Sequence, residues 1–121
     1  MVAIEKLAEV PRLCQLFLRA AANAVRSRGL ARGTRINDRG QVCMLGAMDV
    51  CGVSITIAQR RDIEHHVASL LPARPDGMEG DDKYNVKRWS SDSHTIAWWS
   101  NMIAKDAEEV VMKLEAAADS C

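Results

Sequence analysis

Residues 95–118, T I A W W S N M I A K D A E E V V M K L E A A A, carry the clearest local reading in the chain. Asp106 is followed three residues later by Glu109, the spacing of a capping box, in which paired side chains satisfy the free backbone N–H groups of a helix start. Glu108 and Glu109 add acids to the first turn, where the helix dipole favours them. Ala107, Val110, Val111, Leu114 and Ala118 then recur at helical spacing and form one apolar stripe. The pattern predicts a capped amphipathic helix that must bury this stripe against a neighbour. Just upstream, Ile96, Trp99, Met102 and Ile103 share a face of a preceding helix, with Ser91, Asp92 or Ser93 as its cap, so Trp99 is expected in the core. Adjacent helical positions point ~100° apart. Trp98 therefore either covers a neighbouring loop or stands exposed as a binding anchor.

Working outward, Leu7, Val10, Cys14, Phe17, Leu18, Ala21 and Val25 give an apolar face over about Ile4 to Arg28. Pro11 lies inside that span and either kinks the helix or occupies its first turn. Gly29 and Gly33 end it. Asn37, Asp38 and Gly40 are turn formers with short β-compatible flanks, which predicts a tight turn or short hairpin near residues 34–43. Met44 to Val50 reads as a short buried helix, with Gly46 and Ala47 small enough for another backbone to approach. Ser54 or Thr56 caps a helix from about Ile57 to Leu71, carrying Ile63, Val67, Leu70 and Leu71 on one side. Residues 72–93 are rich in charge and turn formers and read as a long polar loop. The fold expected is mainly α: a single compact helical domain over residues 1–121, with about four to five helices.

Gly40, Val42, Cys43, Gly46 and Ala47 spell G x V C x x G A, and Trp99, Asn101, Ala107, Glu108, Glu109 and Val110 fall on a second, closing motif. Together these resemble a family of small uncharacterised proteins from actinobacteria and their phages, in which G x V C x x G A precedes W N D and then T A E E V. The chain departs at three points: Ser100 and Asn101 stand where that family has Asn and Asp, and Asp106 replaces Thr while keeping an oxygen acceptor. The resemblance covers about half the chain. It implies kinship and a phage or prophage origin, and it brings no activity with it.

At 121 residues with 48% hydrophobic content, the chain suits one core, and its apolar runs are far short of the ~20 residues of a membrane helix. The first residues, M V A I E K L A E V P, lack the basic and apolar stretches of a secretory signal, so a cytoplasmic location is expected. Cys14, Cys43, Cys51 and Cys121 are then expected to be reduced thiols. Net charge is zero but uneven: between Arg12 and Arg61, nine arginines face only Asp38 and Asp49, whereas the remainder of the chain is acidic. The two halves either attract one another within the fold or present a basic face to phosphate or an acidic partner.

Candidate chemistry is thin. Cys43, Cys51, His65, His66 and His94 supply zinc-binding types without a paired spacing such as C x x C, so neither metal nor other cofactor is expected. Cys51, His94 and Asp92 supply the types for nucleophilic catalysis without a motif that assembles them. The expectation is accordingly a non-enzymatic interaction protein, phage-encoded or prophage-derived, that binds a host protein through Trp98, Trp89 and Tyr84. A homodimer through the same surface would be its near relative. The alternative is nucleic-acid binding by Arg26, Arg28, Arg32, Arg35 and Arg39, and a small enzyme ranks behind both.

Overall fold

Helix α1 (Val2–Arg28) and helix α5 (Ala107–Asp119) each carry a strong apolar stripe, and they bury these stripes against each other. Arg19 pairs with Asp119 at 2.6 Å and Arg26 with Glu115 at 2.8 Å, so the two helices run antiparallel. The computed structural model describes residues 2–73 and 91–121, with side chains over 12–73 and 92–121. Between the long pair lie α2 (Met44–Val50), packed on α1, and α3 (Ile57–Ser69), packed on α4 (Ser91–Trp98). Among the described residues there are five α-helices and no sheet, as the sequence pattern predicts.

The core is built from Phe17, Leu18 and Val25 of α1, Met44, Leu45 and Met48 of α2, Val67 of α3, Ile96, Trp99, and Val110, Val111 and Leu114 of α5. Ala21 and Ala22 on α1 and Ala117 and Ala118 on α5 are also fully buried, small enough to let helices approach closely. Helix α1 runs through Pro11 instead of starting at it. Gly29 ends it, its N–H reaching the Val25 carbonyl at 2.8 Å. Helix α3 opens with a complete capping box between Thr56 and Gln59. Asp106 caps α5, accepting the Glu109 N–H at 2.9 Å.

Three expectations need correction. Cys14 and Cys121 are joined as a disulfide across 107 residues of sequence, so only Cys43 and Cys51 remain free thiols. The reduced-thiol expectation came from the absence of dense cysteine spacing. Antiparallel packing of α1 on α5 produces the same proximity without any local pattern. The polar loop expected to run to residue 93 ends earlier, because α4 is already helical at Ser91; the rest of it, 74–90, lies outside the described residues.

The third correction concerns the face of Trp99, Met102 and Ile103. Residues Trp99–Ile103 form a π-helical turn, in which the Ala104 N–H donates to the Trp99 carbonyl at 2.8 Å, five residues back. One residue more per turn rotates everything beyond it by about 100° relative to an α-helix. Trp99 stays inside, Ser100 becomes fully buried, and Met102 and Ile103 turn out to solvent at 68% and 47% exposure.

Candidate functional site

The segment joining α1 to α2 folds around Val42, which is paired on both sides. The Val42 N–H donates to the Gly29 carbonyl and its own carbonyl accepts the Ala31 N–H, both at 3.0 Å, while an antiparallel bridge links it to Ile36. Asn37 organises the turn: its Oδ1 accepts the N–H groups of Arg39 and Gln41, each at 3.0 Å. Gly40 there has φ +78°, a conformation other residues adopt only with strain. The expected hairpin is thus a tight turn flanked by isolated bridges.

Each residue of the G x V C x x G A motif has a packing task in this elbow. Cys43 caps α2, its Sγ accepting the Gly46 N–H at 3.4 Å. Burial pushes the Cys43 thiol up from its ordinary pKa, so it is a neutral thiol, poorly suited to attack or to bind metal. Gly46 passes the carbonyl of Arg35 so closely that a Cβ built on it would lie 1.8 Å from that oxygen. Ala47 is fully buried. The second motif performs the same kind of work. Ser100 Oγ accepts the Met44 N–H at 3.0 Å, supplying a second cap to α2. Asn101 Oδ1 accepts the Gly33 N–H at 3.1 Å. Both positions use a side-chain oxygen as an acceptor, and neither needs a charge.

The arginines proposed as a nucleic-acid face are largely engaged inside the molecule. Arg32 donates to the carbonyls of Asn101, Ala104 and Lys105 at 3.2, 2.7 and 3.1 Å, closing the end of the π turn. Arg35 holds Asp49 through two bonds of 2.7 and 2.8 Å, which raises its own pKa further. Arg60 continues the chain, reaching Asp49 at 3.1 Å and Glu64 at 2.7 Å, and Ser93 also donates to Glu64. Arg26 is paired with Glu115, and Arg28 reaches the Gly40 carbonyl at 3.5 Å. Arg39 sits exposed on the turn. Basic residues of the first half thus meet acids of the second in the pairs Arg19–Asp119, Arg26–Glu115 and Arg60–Glu64.

The elements for metal and nucleophile chemistry are spread apart. His66 Nε2 lies 2.9 Å from both the Ala117 carbonyl and Ser120 Oγ, at the end of α5. His65 faces Asp92 at 3.3 Å, and the Cys51 thiol donates to the Met48 carbonyl at 3.5 Å. Among the described residues, no cluster of three or more His, Cys, Asp or Glu side chains is placed to hold a metal ion. No helix of the described residues is long and apolar enough to cross a membrane.

Among the described residues, one apolar surface open to a partner is the outer side of the π turn and α5, although Leu16 and Ile57 are exposed elsewhere. A groove of about 620 Å³ is lined by Pro72, Trp99, Met112 and Ala116, with Lys105, Asp106, Glu108, Glu109 and Lys113 around it. Trp99 is its floor, nearly covered by Lys113, whose ammonium stands 5.8 Å from the ring centroid. Met112 is 62% exposed, and Met102 and Ile103 stand out from the adjoining π turn. Trp98, the expected anchor, is half-buried against the edge of the core and does not line the groove. Trp89 and Tyr84 lie outside the described residues. Sequence reasoning assigned Met102 and Ile103 to the interior because their spacing is α-helical; only the π turn reveals them.

A single family model matches residues 12–120, a span that contains all of the helices from α2 to α5 and most of α1. The chain belongs to DUF6197, a family of unknown function. No curated protein and no solved structure matches it. Within the family model fall the elbow, the disulfide's Cys14, the π turn and the whole of α5.

Proposed function

We propose that this is a non-enzymatic interaction protein, phage-encoded or prophage-derived, that binds a host protein on the outer side of the π turn and α5. The observation that supports this reading is the exposure of Met102, Ile103 and Met112 beside a groove floored by Trp99. Exposed apolar side chains rimmed by charge are the usual mark of a protein interface. The rim alternates Lys105 and Lys113 with Asp106, Glu108 and Glu109. Three carboxylates there repel phosphate, so the partner fitted is a polypeptide presenting an apolar side chain between mixed charges. Flexible methionines suit such a contact. The nucleic-acid alternative has less to draw on, since Arg26, Arg32 and Arg35 are already held by internal partners and Arg39 remains the freest of the set.

The test is capture from a nuclease-treated actinobacterial lysate with wild type, Met102→Glu, Met112→Glu and Arg39→Ala in parallel. A protein retained by wild type and Arg39→Ala, lost with either glutamate variant, and insensitive to moderate salt is the result expected. Nucleic acid recovered when nuclease is omitted, in a manner that depends on Arg39 and falls steeply with salt, would instead favour the nucleic-acid alternative.

A further inference from the structure

The disulfide between Cys14 and Cys121 ties the end of α5 to α1, and other contacts join the same two helices around it. Beside it, Arg19 grips Asp119 at 2.6 Å, and His66 reaches the Ala117 carbonyl and Ser120 Oγ at 2.9 Å. Further along, Arg26 holds Glu115, while Val110, Val111, Leu114, Ala117 and Ala118 are buried. The Cys121 sulfur lies 3.4 Å from the Ala117 carbonyl, an acceptor within reach of the thiol that reduction would create. Both cysteines are only partly buried, so a small thiol has access to the bond in the folded chain. The free Cys43 is buried at the start of α2 and Cys51 follows α2, so neither is part of the pair.

We infer that the Cys14–Cys121 pair is a reversible redox staple, made and broken in the folded protein by exchange with a low-molecular-weight thiol. A thiolate such as that of glutathione attacks one sulfur and forms a mixed disulfide, and the other protein sulfur leaves as a thiol. A second glutathione resolves the mixed disulfide, giving two protein thiols and one glutathione disulfide. The reverse reaction, consuming glutathione disulfide, closes the staple. Because the bond closes a loop of 107 residues, its main effect is to restrict the unfolded chain. The staple therefore sets how easily the protein unfolds, while the helices keep their arrangement in both states. An oxidising compartment gives a hardened protein and a reducing one gives a labile protein of the same fold.

The experiment is thiol counting and thermal unfolding of the full chain across glutathione buffers. Alkylation in denaturant should add two labels to the oxidised protein and four after reduction, with Cys14 and Cys121 as the extra sites by peptide mapping. Circular dichroism should be unchanged at 25 °C while the melting temperature falls by roughly 10–20 °C on reduction. The Cys14→Ser and Cys121→Ser variants should melt at the reduced wild-type temperature in both buffers, whereas Cys51→Ser should retain the shift. Four labels without reduction, or equal melting temperatures in the two buffers, would overturn the staple. A bond that glutathione opens only in denaturant would overturn its reversibility in the folded state, and labelling alone settles this even if a serine variant does not fold.

Discussion

The Gly40–Ala47 elbow and the outer wall formed by the π turn and α5 differ in what their side chains have left to offer. In the elbow, Val42, Cys43, Gly46 and Ala47 are buried, and the Asn37 side chain is committed to turn contacts. In the wall, Met102 and Met112 touch mainly solvent and Ile103 is about half exposed. The recognisable motif thus marks how the chain folds, and the unremarkable residues beside it mark where the chain has surface to spare. In such a family, motif strength and functional relevance are separate quantities.

The contrast would break first at Gly46. A Cβ 1.8 Å from the Arg35 carbonyl cannot be absorbed by a side-chain rotation, because the clash is with backbone. Gly46→Ala is expected to cost about 3 kcal/mol or more, or to prevent folding, as read by chemical denaturation and soluble yield. A variant melting within a few degrees of wild type would mean that the elbow is not the rigid element described.

Cys43→Ala comes next, removing the α2 cap and opening a small void, with an expected loss of about 1–2 kcal/mol. Its pH dependence is a sharper test. Burial raises the folded pKa of Cys43 above its ordinary 9.0, so the unfolded chain releases that proton first. The associated stability is complete below the unfolded value and declines as the pH climbs through the folded one. The penalty of Cys43→Ala should therefore shrink as the pH rises above about 9 in urea titrations; a penalty constant through that rise would remove the burial account.

Asp49→Asn weakens the contacts to Arg35 and Arg60 in a setting about a third exposed. Solvent screening limits the expected loss to about 1 kcal/mol, larger at low salt than at high salt. Met112→Glu sits at the other end of the comparison. Its stability should move by less than about 0.5 kcal/mol, as for an ordinary surface substitution, while partner capture is lost. A clear drop in melting temperature would place Met112 with the elbow, as a residue used by the fold.

The helices were legible because their signals are local. Thr56 as a cap, Asp106 with Glu109, and the stripe from Val110 to Ala118 each fall within one or a few turns of chain. The turn at Asn37 and the close-approach reading of Gly46 were legible for the same reason. The π turn was not, since W S N M I carries α-helical spacing and its altered hydrogen bond depends on neighbours. One such neighbour is Met44, whose N–H donates to the Ser100 hydroxyl from 56 positions away. Nor was the grip of Arg32 on carbonyls some 70 residues distant, and it is this grip that takes Arg32 out of the basic face. The disulfide joins residues 107 apart and leaves no local trace. Trp98, which the sequence offered as a partner contact, does not line the groove, whose walls include Trp99 and Met112.

The widened turn at Trp99–Ile103 also bears on how such a surface arises. A single residue gained within a regular helix moves Met102 and Ile103 from interior to exterior and draws Ser100 inward, with no change in which apolar residues the chain contains. One inserted residue in such a helix therefore presents a face turned by about 100°. Deleting one residue from this turn is the reverse experiment, trading a solvent-facing apolar ridge for a conventional buried one.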